Sequence, residues 1–162
     1  MSRVAYPRWL TGLWLALLLS LATALPAQAI ELAQVLTGFP QAERLEAADS
    51  QWPVSRVVDG DGQLLGYAFE SVEVAPIPAY SGKPVNMLVA IDLDGRIVQA
   101  EVISHSEPIM LVGIPESKLD NFADAHVSAH VNDRLRVGGE LDAISGATVT
   151  VIVVSDTIMR SA

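Results

Sequence analysis

The sequence contains no cysteine, only three histidines and few basic residues. Without cysteine the chain can form neither a disulfide nor a thiolate metal site, so any redox chemistry must come from a bound cofactor. Ten lysine and arginine residues against 19 acidic residues give a formal net charge of -9 at pH 7. This charge argues against a nucleic-acid partner, because phosphate backbones are bound by basic surfaces.

Apolar residues, in contrast, are abundant. They make up 51% of the 162 residues, while charged residues account for 18%. A chain of this composition can bury a core, and its length corresponds to one domain. No internal repeat or low-complexity tract is present.

The first 29 residues have the pattern of a secretory signal. Arg3 and Arg8 precede an uncharged, leucine-rich run at 9–21, and the segment 26–29 ends in an A-x-A pattern. We expect cleavage after Ala29, since the apolar stretch is short for a membrane anchor. The remaining domain, 30–162, has eight basic and 19 acidic residues, a net charge of -11. The sequence therefore predicts an acidic, exported domain.

Hydrophobic periodicity in the rest of the chain predicts an α+β fold, an antiparallel sheet of hairpins with packed helices. Alternating residues at 54–58 and 64–70 flank a Gly/Asp turn and predict one hairpin. The segments 85–92 and 97–103, joined by Asp94-Gly95, predict a second. A proline-rich loop at 76–84 connects the two hairpins.

Helices are predicted at three places around these hairpins. A short helix is expected within 30–45, before the glycine and proline at 38 and 40, and a connector follows it. A second helix is expected to have Pro115 in its first turn and to end before Asn132. Its buried stripe comprises Leu119, Phe122, Ala123 and His126. A third is expected to begin near Thr148 and run through Val151, Val154, Ile158 and Met159.

The segment 142–150, with the sequence DAISGATVT, is the strongest candidate for a functional site. Ser145-Gly146-Ala147 is a turn of small residues that exposes backbone amides at the start of the third helix, where an anion such as phosphate binds well. A helix cap is the alternative, in which Ser145 or Thr148 bonds to the free amides of the first turn. From the residues alone, both interpretations stay open.

The complete pattern D-x-x-S-G-A-T-x-T resembles the flavinylation motif of the FMN-binding domains of the NqrC, RnfG and NosR families. The resemblance implies that a flavin transferase of the ApbE type attaches FMN to Thr150 through a phosphoester. It implies roles in enzyme recognition and phosphate placement for Asp142, Ser145, Gly146, Ala147 and Thr148. It also favours a helix over a strand for the β-branched run at 149–154.

Two further segments are similar to the NosR branch, namely HSEPI at 105–109 and VGIPE at 112–116. This resemblance implies a periplasmic electron-transfer domain, not a self-contained substrate-converting enzyme. The implied partners are the membrane electron-transfer part of a NosR chain, before which the sequence stops, and the nitrous oxide reductase system. The alternatives are a flavin subunit of an RnfG- or NqrC-like ion-translocating oxidoreductase and a cofactor-free sensory or interaction module.

Metal sites are weaker candidates. The Asp and Gly residues at 59–62 resemble the start of a calcium loop but lack its later glutamate, so we predict a hairpin turn. His126 and His130 have a spacing that suits a metal, yet no third ligand lies near them in the sequence. We therefore expect no metal site.

Overall fold

The computed structural model describes residues 30–111 and 113–162. The predicted signal peptide lies outside these residues. Within them, every helix is too short or too polar to span a lipid bilayer.

A five-stranded antiparallel sheet forms the centre of the domain, and each strand pairs with the next one in the chain. Both predicted hairpins are present, and irregular pairing near Val58 and Ile91 bends the ladders locally. The strands are β1 (Arg44–Ala47), β2 (Ser55–Val58), β3 (Leu64–Glu70), β4 (Asn86–Asp92) and β5 (Ile97–Ser104).

In the described part of the chain, five helices surround the sheet, which confirms the α+β prediction. The two longest, α4 (Glu116–Asp124) and α5 (Thr148–Ser161), are the second and third predicted helices. The helices are α1 (Leu32–Val35), α2 (Ser71–Val74), α3 (Pro108–Leu111), α4 (Glu116–Asp124) and α5 (Thr148–Ser161).

Strand β4, which lies between β3 and β5, is buried on both faces. Successive side chains of a strand point to opposite sides of the sheet, so its residues enter two cores. Met87 and Val89 pack with the core residues of α4 and α5. Leu88 and Ala90 belong to a second, smaller core on the other face, next to α1. The sheet thus fixes α5 against one face, and α5 carries the motif at its first turn.

The predicted helix that follows Pro115 is shorter than expected. It ends at Asp124, because Ser128 adopts a left-handed conformation (φ 78°) that turns the chain back to the sheet. There the backbone N–H of Ser128 donates to the carbonyl of Ile97, and that of Ile97 donates to the carbonyl of Ala129. These tertiary bonds replace further helical turns. Pro115 is the residue before the helix, not part of its first turn.

Strand β1 occupies part of the segment predicted to be a connector. It is a four-residue edge strand in which Arg44 and Glu46 flank the half-buried Leu45. Charged residues are common on edge strands, where they hinder pairing with other chains, and they hide the alternating pattern in the sequence.

The turn at 59–62 joins two strands, as predicted. The Asp59 carboxylate accepts hydrogen bonds from the backbone N–H groups of Asp61 (3.0 Å) and Gln63 (2.8 Å). Gly62 has φ 81°, which glycine adopts at no steric cost. In the described part of the chain, no cluster of three or more histidine or acidic residues is arranged to hold a metal.

Candidate functional site

The SGAT turn lies directly before the first turn of α5. Gly146 has φ 86°, a left-handed conformation that favours glycine. The backbone N–H of Ala147 donates to the carbonyl of Ile144, which closes the turn. The predicted turn and the helix beginning at Thr148 are both confirmed.

Among the described residues, no side chain caps the N-terminus of α5. The N-cap position is held by Ala147, and neither Ser145 nor Thr148 forms a capping bond with described residues. Within the same set, the backbone N–H groups of Thr148, Val149 and Thr150 have no acceptor. The helix-cap interpretation is therefore wrong. Three amides and the positive end of a 14-residue helix remain available to an anion.

Thr150 sits in this first turn with its side chain turned inward, only 2% exposed. Its hydroxyl donates a hydrogen bond of 2.5 Å to the carboxylate of Glu107, which is fully buried. A hydrogen bond to a charged acceptor is short and roughly twice as strong as one between neutral groups. The motif assigns flavin attachment to Thr150, and the buried Glu107 orients the hydroxyl of this residue.

Glu107 lies just beyond the end of β5 and forms hydrogen bonds with Thr150, Ser81 and His105. Its Oε1 accepts a 2.8 Å hydrogen bond from the backbone N–H of Ser81, and its own N–H donates to Nδ1 of His105. Burial raises the pKa of the Glu107 carboxyl, but the hydrogen bonds from Thr150 and Ser81 outweigh burial and leave the pKa below its ordinary value of 4.5. Glu107 is therefore a buried carboxylate at neutral pH.

A cavity of about 350 Å³ opens at this end of α5. Four motif residues line it, and Tyr80 and Ile109 complete the wall. The motif residues are Gly146, Ala147, Thr148 and Thr150, with Val149 between them. The described lining residues include no charged side chain, so a bound anion would be held by the free backbone amides.

Asp142 and Ser145 lie apart from this cavity. Both are exposed, and both border a separate cavity of about 410 Å³ between the 140–145 segment and α4. The structure therefore divides the motif into a group next to Thr150 and two outward-facing residues.

A larger cavity, of about 800 Å³, lies at the C-terminal end of α5. Trp52, Tyr67 and Phe69 line it together with Arg160 and Ala162. None of its lining residues belongs to the motif. With a rise of about 1.5 Å per residue, a helix of 14 residues separates the two cavities by about 20 Å.

The histidines do not form a metal site among the described residues. His126 is fully buried, with Nδ1 3.1 Å from the carbonyl of Phe122 and Nε2 3.0 Å from the hydroxyl of Ser155. His130 instead accepts the backbone N–H of Asn132 at the edge of the sheet. Burial lowers the pKa of His126 below its ordinary value of 6.5, although the carbonyl of Phe122 acts in the opposite direction. His126 is thus a neutral link between α4 and α5.

Sequence reasoning missed Glu107 and Tyr80. Glu107 lies within the HSEPI segment, which the sequence marks only through its resemblance to NosR. Its pairing with Thr150 spans 43 positions in the chain, a separation that no local pattern reveals.

The amino-acid sequence matches a known protein family and several relatives. Residues 80–161, about half of the chain, match the FMN-binding domain family. Regulatory protein NosR of Stutzerimonas stutzeri is 41% identical over 97% of this chain and 23% of its own length. Protein NirI of Paracoccus denitrificans is 35% identical over 93% of this chain and 23% of its own length.

A weaker match is a subunit of the ion-translocating oxidoreductase complex of Haemophilus influenzae, 31% identical over 63% of this chain and 51% of the subunit's own length. The chain spans less than a quarter of the length of its NosR and NirI relatives. The family match contains Tyr80 and Thr150, which line one cavity, and Glu107, which accepts the hydrogen bond from Thr150. The chain therefore belongs to the FMN-binding domain family, and it resembles the FMN-binding domain of NosR over nearly its whole length.

Proposed function

We propose that this chain is an exported electron-transfer domain that carries FMN covalently attached to Thr150. The observation that supports the proposal most directly is the buried hydroxyl of Thr150, oriented by Glu107, in a helical turn whose amides are free. The family match supports FMN as the cofactor, and the motif supports the covalent bond.

The residues present fit a flavin phosphate. A phosphodiester has a single negative charge, which suits the partial positive charge at a helix N-terminus. The unbonded N–H groups of Thr148 and Val149 would donate to its oxygens, and Gly146 lets the backbone approach closely. The neighbouring cavity of about 350 Å³ is lined by Tyr80, by apolar side chains and by the polar Thr148 and Thr150. Apolar walls with a few polar groups suit a flavin ring.

Attachment at Thr150 would use FAD as the donor and a flavin transferase as the enzyme. The Thr150 oxygen forms a bond to the phosphorus of the FMN half of FAD, the pyrophosphate bond breaks, and AMP leaves. The hydroxyl proton is released in the same reaction. Asp142 and Ser145, which face outward, are suited to recognition by the transferase.

The tethered flavin would supply one- and two-electron redox chemistry, while the protein positions it. Because the relatives named NosR and NirI are about four times longer, we propose that the domain acts as part of a longer, membrane-associated chain. Its place would be the periplasm, and its role would be electron transfer that supports nitrous oxide reductase activity and expression. The similarity to the Haemophilus influenzae oxidoreductase subunit favours, as a second candidate, a flavin subunit of an ion-translocating oxidoreductase.

Intact mass tests the proposal. The chain is co-expressed with a flavin transferase, its intact mass is recorded, and the denatured band is viewed under ultraviolet light. We expect a gain of one FMN less one water in the wild type and in Thr157→Val, and no gain in Thr150→Val. Thr157 is the matched control, because it is a buried threonine of the same helix outside the motif. An unmodified wild type beside an active transferase would favour a cofactor-free periplasmic module instead.

A further inference from the structure

We propose that the isoalloxazine ring of the attached flavin packs against the phenol ring of Tyr80. This inference rests on attachment at Thr150 and adds the residue that contacts the ring. Tyr80 borders the same cavity as Thr150 and lies in the 79–83 loop.

Tyr80 is 70% exposed, the largest exposed fraction among the large hydrophobic residues described. Val149 and Ile152 are also exposed, by 53% and 45%, and they lie three residues apart on one face of α5. Val149 also lines the cavity of Tyr80, together with Ile109. A flat, largely apolar ring placed here would cover surface that otherwise faces water.

In the unmodified protein, Glu107 fixes the loop relative to the attachment residue. The same carboxylate accepts from the Ser81 backbone (2.8 Å) and from the Thr150 hydroxyl (2.5 Å). The loop is closed on itself by the bond from the Gly82 N–H to the carbonyl of Ala79. Attachment replaces the hydroxyl hydrogen of Thr150 and so removes its bond to Glu107, whereas the Ser81 and Gly82 bonds do not involve that hydrogen. These bonds hold Tyr80 within reach of a ring that is joined to Thr150 by the ribityl chain and the phosphate.

Other aromatic side chains of the described residues are placed elsewhere. Trp52 and Tyr67 line the larger cavity at the far end of α5. Phe39, Phe69 and Phe122 are buried in the core. Tyr80 is therefore the one described tyrosine or tryptophan at the motif cavity, and this makes the contact measurable. A phenol in contact with an excited flavin passes one electron to it and recovers that electron, which quenches flavin fluorescence.

The experiment compares flavinylated wild type with Tyr80→Leu, Tyr80→Phe and Trp52→Leu. Intact mass gives the extent of attachment, fluorescence lifetime reports the electron donor, and circular dichroism in the visible bands reports the asymmetric packing of the ring. Trp52→Leu is the matched control, since Trp52 is an exposed aromatic residue bordering the other cavity.

We expect full attachment in all four proteins. The lifetime should rise several-fold in both Tyr80 variants, because phenylalanine is a poor electron donor, and should not change in Trp52→Leu. The visible dichroism should be lost in Tyr80→Leu and retained in Tyr80→Phe, which still packs against the ring. If Tyr80 only maintained the shape of the loop, Tyr80→Phe would not change the fluorescence lifetime while retaining the visible circular dichroism.

Two other results would overturn the inference, and they differ in what they say about attachment. Full attachment with unchanged lifetime and dichroism in Tyr80→Leu would place the ring elsewhere and leave the proposed function intact. Absence of the mass gain in the wild type would overturn both proposals together.

Discussion

The Thr150 hydroxyl donates to the Glu107 carboxylate across 2.5 Å, and both side chains are buried. Glu107 is the one fully buried acidic side chain in the described part of the chain. The residue proposed to carry the flavin is therefore also a structural partner of a buried charge. Expression without a flavin transferase leaves Thr150 unmodified. The effect of a substitution on the free energy of unfolding can then be measured separately from its effect on attachment.

Thr150→Val should destabilise the unmodified protein. The substitution nearly preserves shape, but it removes one of the donors that compensate the buried Glu107 carboxylate. The free energy of unfolding should fall by about 1–3 kcal/mol, the cost of leaving a buried polar group unsatisfied. Urea unfolding measures this, and Thr150→Ser, which keeps the hydroxyl, serves as control. A valine variant as stable as wild type would show that the bond contributes nothing to the fold.

Thr157→Val should have the opposite effect in the same helix. Thr157 is 1% exposed, and its hydroxyl has no hydrogen-bond partner among the described residues. Valine removes the unsatisfied hydroxyl at nearly equal volume, so we expect the free energy of unfolding to rise by about 1 kcal/mol. The same urea experiment checks this. If Thr157→Val proved less stable than wild type, its hydroxyl would have to be satisfied in solution.

The sequence predicted the elements that local patterns determine. Alternation and turn residues indicated the two hairpins, and the small residues at 145–147 located the start of α5. What it missed depends on contacts between distant segments. Strand β1 is specified by pairing with β2, and α4 ends early because Ser128 bonds to Ile97. Glu107 belongs to the site only because the end of β5 meets the first turn of α5.

Glu107→Gln should make the free energy of unfolding less dependent on pH in the acidic range. The folded-state pKa of Glu107 lies below 4.5, so its charged form contributes stability above that value, and the contribution is lost as the pH falls through the folded pKa. The difference in unfolding free energy between wild type and Glu107→Gln should be largest at neutral pH and shrink below pH 4.5. Effects of other carboxyl groups are common to both proteins and cancel. A difference that is constant with pH would mean that folding does not shift the pKa of Glu107.

His126 should give a second, separate pH dependence. Its folded-state pKa lies below 6.5, so the neutral ring contributes stability above that pH, which is lost as the pH falls toward the folded pKa. Wild type should lose stability just below pH 6.5, and His126→Leu should show a flatter profile in that window. Parallel profiles for wild type and His126→Leu would contradict a buried, neutral His126.

Gly146→Ala should impair attachment beyond its effect on stability. An added Cβ would meet only the Ile114 side chain at 3.6 Å, so the cost arises from φ 86° in the backbone, about 1–2 kcal/mol for a residue other than glycine. Relief of that strain would rotate the turn and misdirect the amides of Thr148 and Val149. Gly62→Ala is the matched control, because Gly62 has φ 81° in a hairpin turn that borders none of the cavities described above.

Urea unfolding should give similar losses of stability for the two glycine variants. Time courses of mass gain with the transferase should separate them, with slow attachment in Gly146→Ala and wild-type attachment in Gly62→Ala. Equal slowing in both would trace the effect to stability alone. Wild-type attachment in Gly146→Ala would show that the placement of the amides by the turn does not matter for flavin transfer.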